Sequence, residues 1–322
     1  MPTVATVRGP VAVDALGQTL MHEHIFVVDP EVERNYRTPW DEDAAVDDAV
    51  ARLEQARARG VTTLVDLTVL GLGRDVGRVA RVAQRTGVNI IVATGLYTYD
   101  RLPHYFDLRI AATEPSGEDP LVGFFVSDIV DGIKGTQVRA GILKCATDLP
   151  GVTPGVERAL RAVAVAQRRT GVPISTHTHA GSRRGLDQQR IFAEEGVDLS
   201  RVVIGHCGDT TDLAYLEELI SRGSYVGMDR FGLDVLASFD DRVATVAQLC
   251  ARGYADHVVL SHDAACYIDW FDPGLRAQSM PRWHFTHIHD DVLPALRACG
   301  VAEDQIHQML VANPAAIFSR QG

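Results

Sequence analysis

Cysteine is scarce and unpatterned in this chain. Its five cysteines, Cys145, Cys207, Cys250, Cys266 and Cys299, are odd in number, scattered and without a Cys-x-x-Cys spacing. They read as free thiols in a reducing compartment, so a cytoplasmic protein is expected. No uninterrupted apolar run reaches the length of a membrane span, and the N-terminus shows no charged segment leading into an apolar one. Neither a spanning helix nor a secretory signal is expected. Positive charge is in deficit, with 31 Lys and Arg against 42 Asp and Glu and a net charge of −11. That argues against nucleic acid and anionic membrane as partners. A glycine-rich phosphate loop is missing as well, since Gly71-Leu72-Gly73 is too short to count as one. What the chain does have is apolar content, 46% over 322 residues, enough for one large domain across residues 1–322.

Strand and helix patterns alternate along that length. Residues 3–16 read as a short hairpin turned at Gly9-Pro10. The first long strand runs through Thr19-Leu20-Met21 into His24. Further strands are expected at 61–66, 89–94, 140–144, 172–176, 202–205, 225–228 and 258–262. Helical periodicity covers 42–59, 74–86, 122–134, 154–169, 185–195, 211–222 and 241–252, and two closing helices are expected near 286–299 and 303–311. About eight strand–helix units predict an α/β fold, a closed (β/α)8 TIM barrel with a short N-terminal β-hairpin. A doubly wound open sheet competes, but commonly carries a phosphate loop after its first strand. Here the first strand ends in His22-x-His24 instead.

On a strand, residues two apart share a face, so His22 and His24 can hold one ion together. The theme repeats at later strand ends, with Lys144, His177, His206 and Asp263. Four imidazoles and a carboxylate suit zinc, cobalt, iron or manganese, and five such groups exceed one tetrahedral site, which points to two divalent metal ions. His179 and His262 flank the ligands on the opposite strand face and read as structural. His284, His287 and His289 lie away from any strand end. Lys144 sits in an otherwise apolar strand, where an unpaired ammonium is costly. It is either paired with a carboxylate such as Asp148, or neutral and able to take up carbon dioxide as a bridging carbamate.

His22-x-His24, Lys144, His177, His206 and Asp263, in that order, resemble the binuclear amidohydrolase superfamily. The phrases MHEH, GLYTYD, RAGILKCATD, VPISTHTHA, GMDRFGLD and LSHDAACYIDW resemble its phosphotriesterase family, and within it the phosphotriesterase-like lactonases. The resemblance implies a carboxylated Lys144 and a hydroxide bridging two ions. His22, His24 and Asp263 would hold one ion, His177 and His206 the other. It also implies a homodimer, and a substrate that is a lactone, such as an N-acyl homoserine lactone, or an organophosphate triester. Tyr97 stands where true phosphotriesterases usually have tryptophan, Arg230 where they have histidine, and the segment after Arg230 is short. These features resemble the lactonase branch. Asp263, Tyr97 and Arg230 are the expected catalytic residues, with Asp209 behind Arg230. Leu72, Tyr97, Tyr99, Arg230, Leu233, Cys266 and Trp270, with Phe271 and Met280, are the expected substrate surface. The 264–283 segment reads as a loop over the site. A primary phosphotriesterase and a non-catalytic metal-binding barrel remain the competing expectations.

Overall fold

The computed structural model describes residues 2–319. Strands β1 (Thr3–Thr6) and β2 (Gly9–Ala12) form the antiparallel hairpin. Its turn falls at Val7-Arg8, not at Gly9-Pro10, since Thr6 pairs with Gly9 and Ala5 with Pro10. Gly9 takes φ +113°, a conformation that costs glycine nothing, and so can open the second strand. Pro10 is tolerated because a two-stranded ribbon has only edges. At the tip, Arg8 donates to the Ala83 carbonyl at 2.9 Å and ties the hairpin to the base of the barrel.

The barrel strands follow as β3 (Gln18–Val27), β4 (Val61–Asp66), β5 (Asn89–Gly95), β6 (Ile142–Thr147), β7 (Ile174–Thr178), β8 (Val202–Ile204), β9 (Tyr225–Met228), β10 (Val258–Leu260) and β11 (Ala265–Ile268). From β3 to β10 they pair in parallel and in sequence order. β10 and β11 are two halves of one eighth strand, broken at residues 261–264. The first half pairs with β9, and the second with β3, where Ala265 lies opposite His24. That double pairing closes the (β/α)8 barrel.

Helices cover the outside, among them Glu42–Arg57, Val76–Ala83, Pro154–Thr170 and Phe239–Ala251. Their first turns are capped by the side chains of Asp41, Asp75, Thr153 and Ser238, which accept backbone N–H bonds there. The two closing helices are not continuous. Ile288–Val292 and Gln308–Ala312 are wider π-turns, each leading into an α-helix with proline at its second residue, Pro294 or Pro314. Proline has no N–H to give, and its ring crowds the carbonyl four residues back, so the wider turn relieves the clash. Among the described residues no helix is long and apolar enough to cross a membrane.

The apolar residues divide into two layers. One lies between strands and helices. The other fills the barrel interior, with Met21, Val65, Ile91, Ile142, Val203 and Val259, and is closed below by Val4 and Phe318. The upper end of the interior is polar, and there the site is built.

Candidate metal centre

Ile142 belongs to the interior layer. The side chain two residues along a strand faces the same way, so Lys144 points into the barrel just above it. It lies in the middle of β6, not at the strand's end as the 140–144 reading had it, because β6 runs on to Thr147. Lys144 is 1% exposed. Its Nζ lies 2.8 Å from His22 Nε2. Burial lowers the amine to about 8. Asp148 does not neutralise it, lying instead 3.5 Å from His177 Nε2. Strand β5 approaches so closely that a Cβ at Gly95 would sit 1.8 Å from the Lys144 carbonyl oxygen.

The other groups of the site arrive from five strands. His22 and His24 stand on β3, and His177 on β7. His206, Arg230 and Asp263 follow the ends of β8, β9 and β10 with φ of +59°, +66° and +53°. Three non-glycine residues in the left-handed region, each two or three residues beyond the end of a barrel strand, are strained positions gathered at one rim. The sharp turn swings each side chain over the barrel mouth. Asp263 Oδ1 then lies 3.2 Å from His24 Nε2 and 3.5 Å from His22 Nε2. His206 Nε2 lies 2.9 Å from His177 Nδ1.

Carboxylates behind the imidazoles fix where their protons sit. Asp229, fully buried, accepts from His206 Nδ1 at 2.8 Å and from the His206 backbone N–H at 3.0 Å. Its other oxygen lies 2.9 Å from His22 Nδ1, off the line of a well-aligned hydrogen bond. Thr68 donates to Asp66 at 2.6 Å, so it accepts from His24 Nδ1 at 2.9 Å. A carboxylate only accepts, so Nδ1 of His22 and His206 holds the proton and Nε2 turns a lone pair to the centre. Burial lowers His22 to about 4 and holds His177 and His206 below the usual imidazole range. All three are therefore neutral at pH 7, the form that ligates metal. Burial alone would raise the Asp263 carboxyl, yet His206, His22, the His24 hydrogen bond and Arg230 hold it well below its ordinary range. Lone pairs and a carboxylate converging without protons between them are a donor set fitted to cations. His22, His24 and Asp263 gather ligand atoms within 4.8 Å of one another.

Above the donors opens a cavity of about 620 Å³. Leu72, Tyr97, Arg230, Leu233 and Trp270 line it, as do Phe271 and Met280 from the segment over the site. Tyr99 and Cys266, also expected there, do not. Tyr99 faces a separate groove beside Asp29 and Glu31. Cys266 is buried on the outward face of β11, toward helix Glu42–Arg57. Tyr97 sits edge-on to His177, ring centroids 5.4 Å apart, and 6.0 Å from Trp270. Burial, then the Asp263 charge, raises its phenol above its ordinary range, so it is a neutral O–H donor. Arg230 donates to Asp263 Oδ2 at 2.9 Å and to Asp209 Oδ2 at 2.8 Å. Asp209 is held from behind by the buried Arg242 at 2.7 Å.

A model of the phosphotriesterase family matches residues 2–318. The chain belongs to that family. It is 61% identical over 323 residues to a protein named phosphotriesterase homology protein from Mycobacterium tuberculosis, covering 100% of this chain and 99% of the relative. It is 40% identical over 306 residues to an aryldialkylphosphatase from Saccharolobus solfataricus, covering 94% and 95%. The solved structure of the phosphotriesterase from Mycobacterium tuberculosis superposes with a TM-score of 0.96 at 60% identity, covering 100% of this chain and 99% of that one.

In this phosphotriesterase-family barrel the sequence reading missed the supporting carboxylates. For Asp229 the available signal was its place beside Arg230, just past the 225–228 strand. Asp66 with Thr68, at the end of β4, gave no pattern of its own. Glu23, between His22 and His24 on one strand, should point away from the centre. It does, and its Oε1 accepts from His262 Nδ1 at 2.7 Å while Ile288 N donates to His262 Nε2 at 3.0 Å. His262 is thus engaged on both ring nitrogens away from the donor cluster, and His287 pairs with Asp291 at 2.7 Å.

Proposed function

We propose that the chain is a binuclear-metal hydrolase that opens lactones, N-acyl homoserine lactones among them, with phosphotriester turnover as a side activity. His22, His24 and Asp263 would hold one divalent ion and His177 and His206 the other, with carboxylated Lys144 shared between them. Zinc, cobalt, iron and manganese all suit this donor set. Such ions supply Lewis acidity and make a water nucleophilic at neutral pH.

The chain's own groups do the rest. The Tyr97 hydroxyl, kept protonated, donates to the lactone carbonyl oxygen as it gains negative charge. Asp263, ionised and aimed by Arg230, takes the proton of the attacking water and delivers it to the ring oxygen that leaves as alkoxide. Asp209 and Arg242 hold Arg230 in place from behind. The apolar wall, with Leu72, Leu233 and Trp270, takes the acyl chain and excludes water.

The observation that carries this reading is the pairing of a neutral Tyr97 donor with the Arg230–Asp263 clamp at the floor of one apolar cavity. A flat lactone carbonyl needs one donor and one exit for its chain. A phosphotriester needs room for three substituents, which Tyr97 and Trp270 restrict. A purely structural metal site would be closed, whereas these donors open onto a cavity. A primary phosphotriesterase is the second reading, supported by the aryldialkylphosphatase among the relatives. Measuring kcat/KM for a panel of lactones and for paraoxon, with defined metals, separates the two. Lactones are expected to lead, and paraoxon outperforming every lactone would transfer the assignment to the second reading. Tyr97→Phe is expected to lower lactone kcat by on the order of 10- to 1000-fold, the range seen on losing a donor to a developing oxyanion. An unchanged kcat would reduce Tyr97 to a packing residue.

A further inference from the structure

Among the described residues Arg276 stands in the cavity wall with no carboxylate in ion-pair reach, the acid acting on it, Asp48, being paired with Arg52. It belongs to helix Pro273–Ser279, and its Nη2 donates to the Ala265 carbonyl at 2.7 Å. Ala265 lies opposite His24 across the barrel seam, so the guanidinium is anchored on the strand that closes the barrel, in the wall of the same cavity. Its Cζ lies over the Trp283 ring, 4.6 Å from the centroid. That is one protein acceptor for a group with five N–H donors. Among the described residues no carboxylate pairs with it. Asp272, the acid nearest in sequence on this wall, uses Oδ1 to cap Gly274 and Leu275.

A second cavity of about 290 Å³ adjoins the first, and the two share Ile268, Arg276, Met280 and Trp283. Asp48 and Arg52 face this second space and already pair with each other at 2.6 Å. The extra positive charge is therefore that of Arg276. Burial and the neighbouring Arg52 lower its guanidinium only to about 10, so it stays charged at neutral pH. An unpaired cation set in an apolar wall is costly, and a ligand anion offsets that cost. In a chain of net charge −11 such a spot attracts anions by local placement, not by the overall field.

We propose that Arg276 is a substrate-recognition residue that binds a carboxylate carried on the tail of the substrate, so that acidic-tailed lactones are the preferred class. This rests on the lactonase reading above. The planar guanidinium fork matches a carboxylate with two parallel N–H bonds, while Trp283 holds its plane.

The test uses two lactones of equal chain length, one ending in a carboxylate and one in a primary amide, with the metal-loaded enzyme. The readout is the ratio of their kcat/KM values, which a general loss of activity does not move. Wild type is expected to favour the carboxylate by about 10-fold or more, mainly through KM, the size of a charge-assisted hydrogen bond. The ratio should fall as salt is raised. Arg276→Gln should bring it near one, and Arg276→Lys should retain part of it. A wild-type ratio near one overturns the proposal. So does Arg276→Gln keeping the wild-type ratio, which would leave Arg276 as a clamp between its helix and β11. Should Arg276→Gln fail to fold, the wild-type ratio with its salt dependence, together with Arg276→Lys, decides. Turnover of neither lactone would sink the lactonase reading by itself. Calorimetric Kd values for the same pair on the same holoenzyme then decide the Arg276 proposal, equal affinities overturning it.

Discussion

Lys144→Ala is expected to lose both bound metal and activity. Lys144 is the only cationic side chain buried among the donors with no carboxylate partner within ion-pair reach in the described residues. Its Nζ touches His22 Nε2 at 2.8 Å. Two amine-bearing states are open to it. An ammonium there would repel divalent ions, whereas burial, which lowers the amine to about 8, makes the neutral form accessible. A neutral amine adds carbon dioxide, forming a C–N bond and releasing one proton, and the product is an anion with two oxygens on a stem of fixed length. That converts a charge opposed to metal binding into one that supports it. Without it the proposed centre would lose the group shared between its two ions. Activity should fall by at least about 1000-fold, since the loss of a single donor to a transition-state charge already costs about 100- to 1000-fold. Elemental analysis should show fewer than two ions per chain, against two in the wild type. Lys144→Met keeps the apolar stem and separates the missing amine from a packing defect, because it should fold normally and remain inactive. Added short carboxylates should restore part of the activity of Lys144→Ala by filling the vacated space. A fully active Lys144→Ala with two ions would remove Lys144 from the centre altogether.

The barrel was legible because its signals are local and repeated. Apolar strands such as Val61–Asp66 and Tyr225–Met228 fall within a residue of their expected bounds, since β-branched and aromatic runs bounded by glycine and charge leave little choice. Where the reading slipped, two local rules competed. Gly9-Pro10 looks like a turn but opens a strand, because a positive φ and an edge position satisfy both residues there. The C-terminal periodicity ran straight through Pro294 and ended at 311, short of Pro314, and the missing N–H of each proline sets the π-turn before it. The order of the clustered imidazole, amine and carboxylate groups was readable because such side chains stand out in apolar strands. The left-handed turns at His206, Arg230 and Asp263 were not readable, since nothing in those residue types announces positive φ. Tyr99 and Cys266 were misplaced for one reason: a side chain's face depends on local register, and the eighth strand is broken just before Cys266. Supporting acids such as Asp229 are far in sequence from the histidines they orient, and only the fold brings them together.

Glu23→Ala is expected to destabilise the fold more than any other single change at the rim. Glu23 is fully buried and stands between two of the clustered imidazoles, His22 and His24, with its side chain turned away from them. It joins β3 to the break in the eighth strand. Oε1 accepts from Ser261 Oγ at 2.9 Å, from His262 N at 2.9 Å and from His262 Nδ1 at 2.7 Å, and Oε2 accepts from Ala264 N at 2.8 Å. Residues 261–264 lie between the two halves of the eighth strand, and the backbone N–H groups of His262 and Ala264 depend on this carboxylate, while those of Ser261 and Asp263 reach the Met228 and His22 carbonyls. Burial pushes the carboxyl well above its ordinary range against the pull of those donors. Alanine would leave the donors buried and unpaired, each costing about 1–3 kcal/mol, with partial relief where solvent enters the space. A net loss of about 3–5 kcal/mol is expected, comparable to breaking a buried pair by removing one partner. The measurement is the urea midpoint of metal-free protein with an unchanged m-value, so that lost metal binding does not contribute. A shift worth less than about 1 kcal/mol would mean that 261–264 finds other partners. Glu23→Gln discriminates further. It keeps the volume and one acceptor, but places an amide N–H against a donor from His262 or Ala264, so it should recover less than half of the loss. The same break carries Asp263, so the variant that retains its fold should also bind metal more weakly through a displaced carboxylate, and a Glu23→Ala protein with wild-type stability and metal content would separate the strand break from the centre it presents.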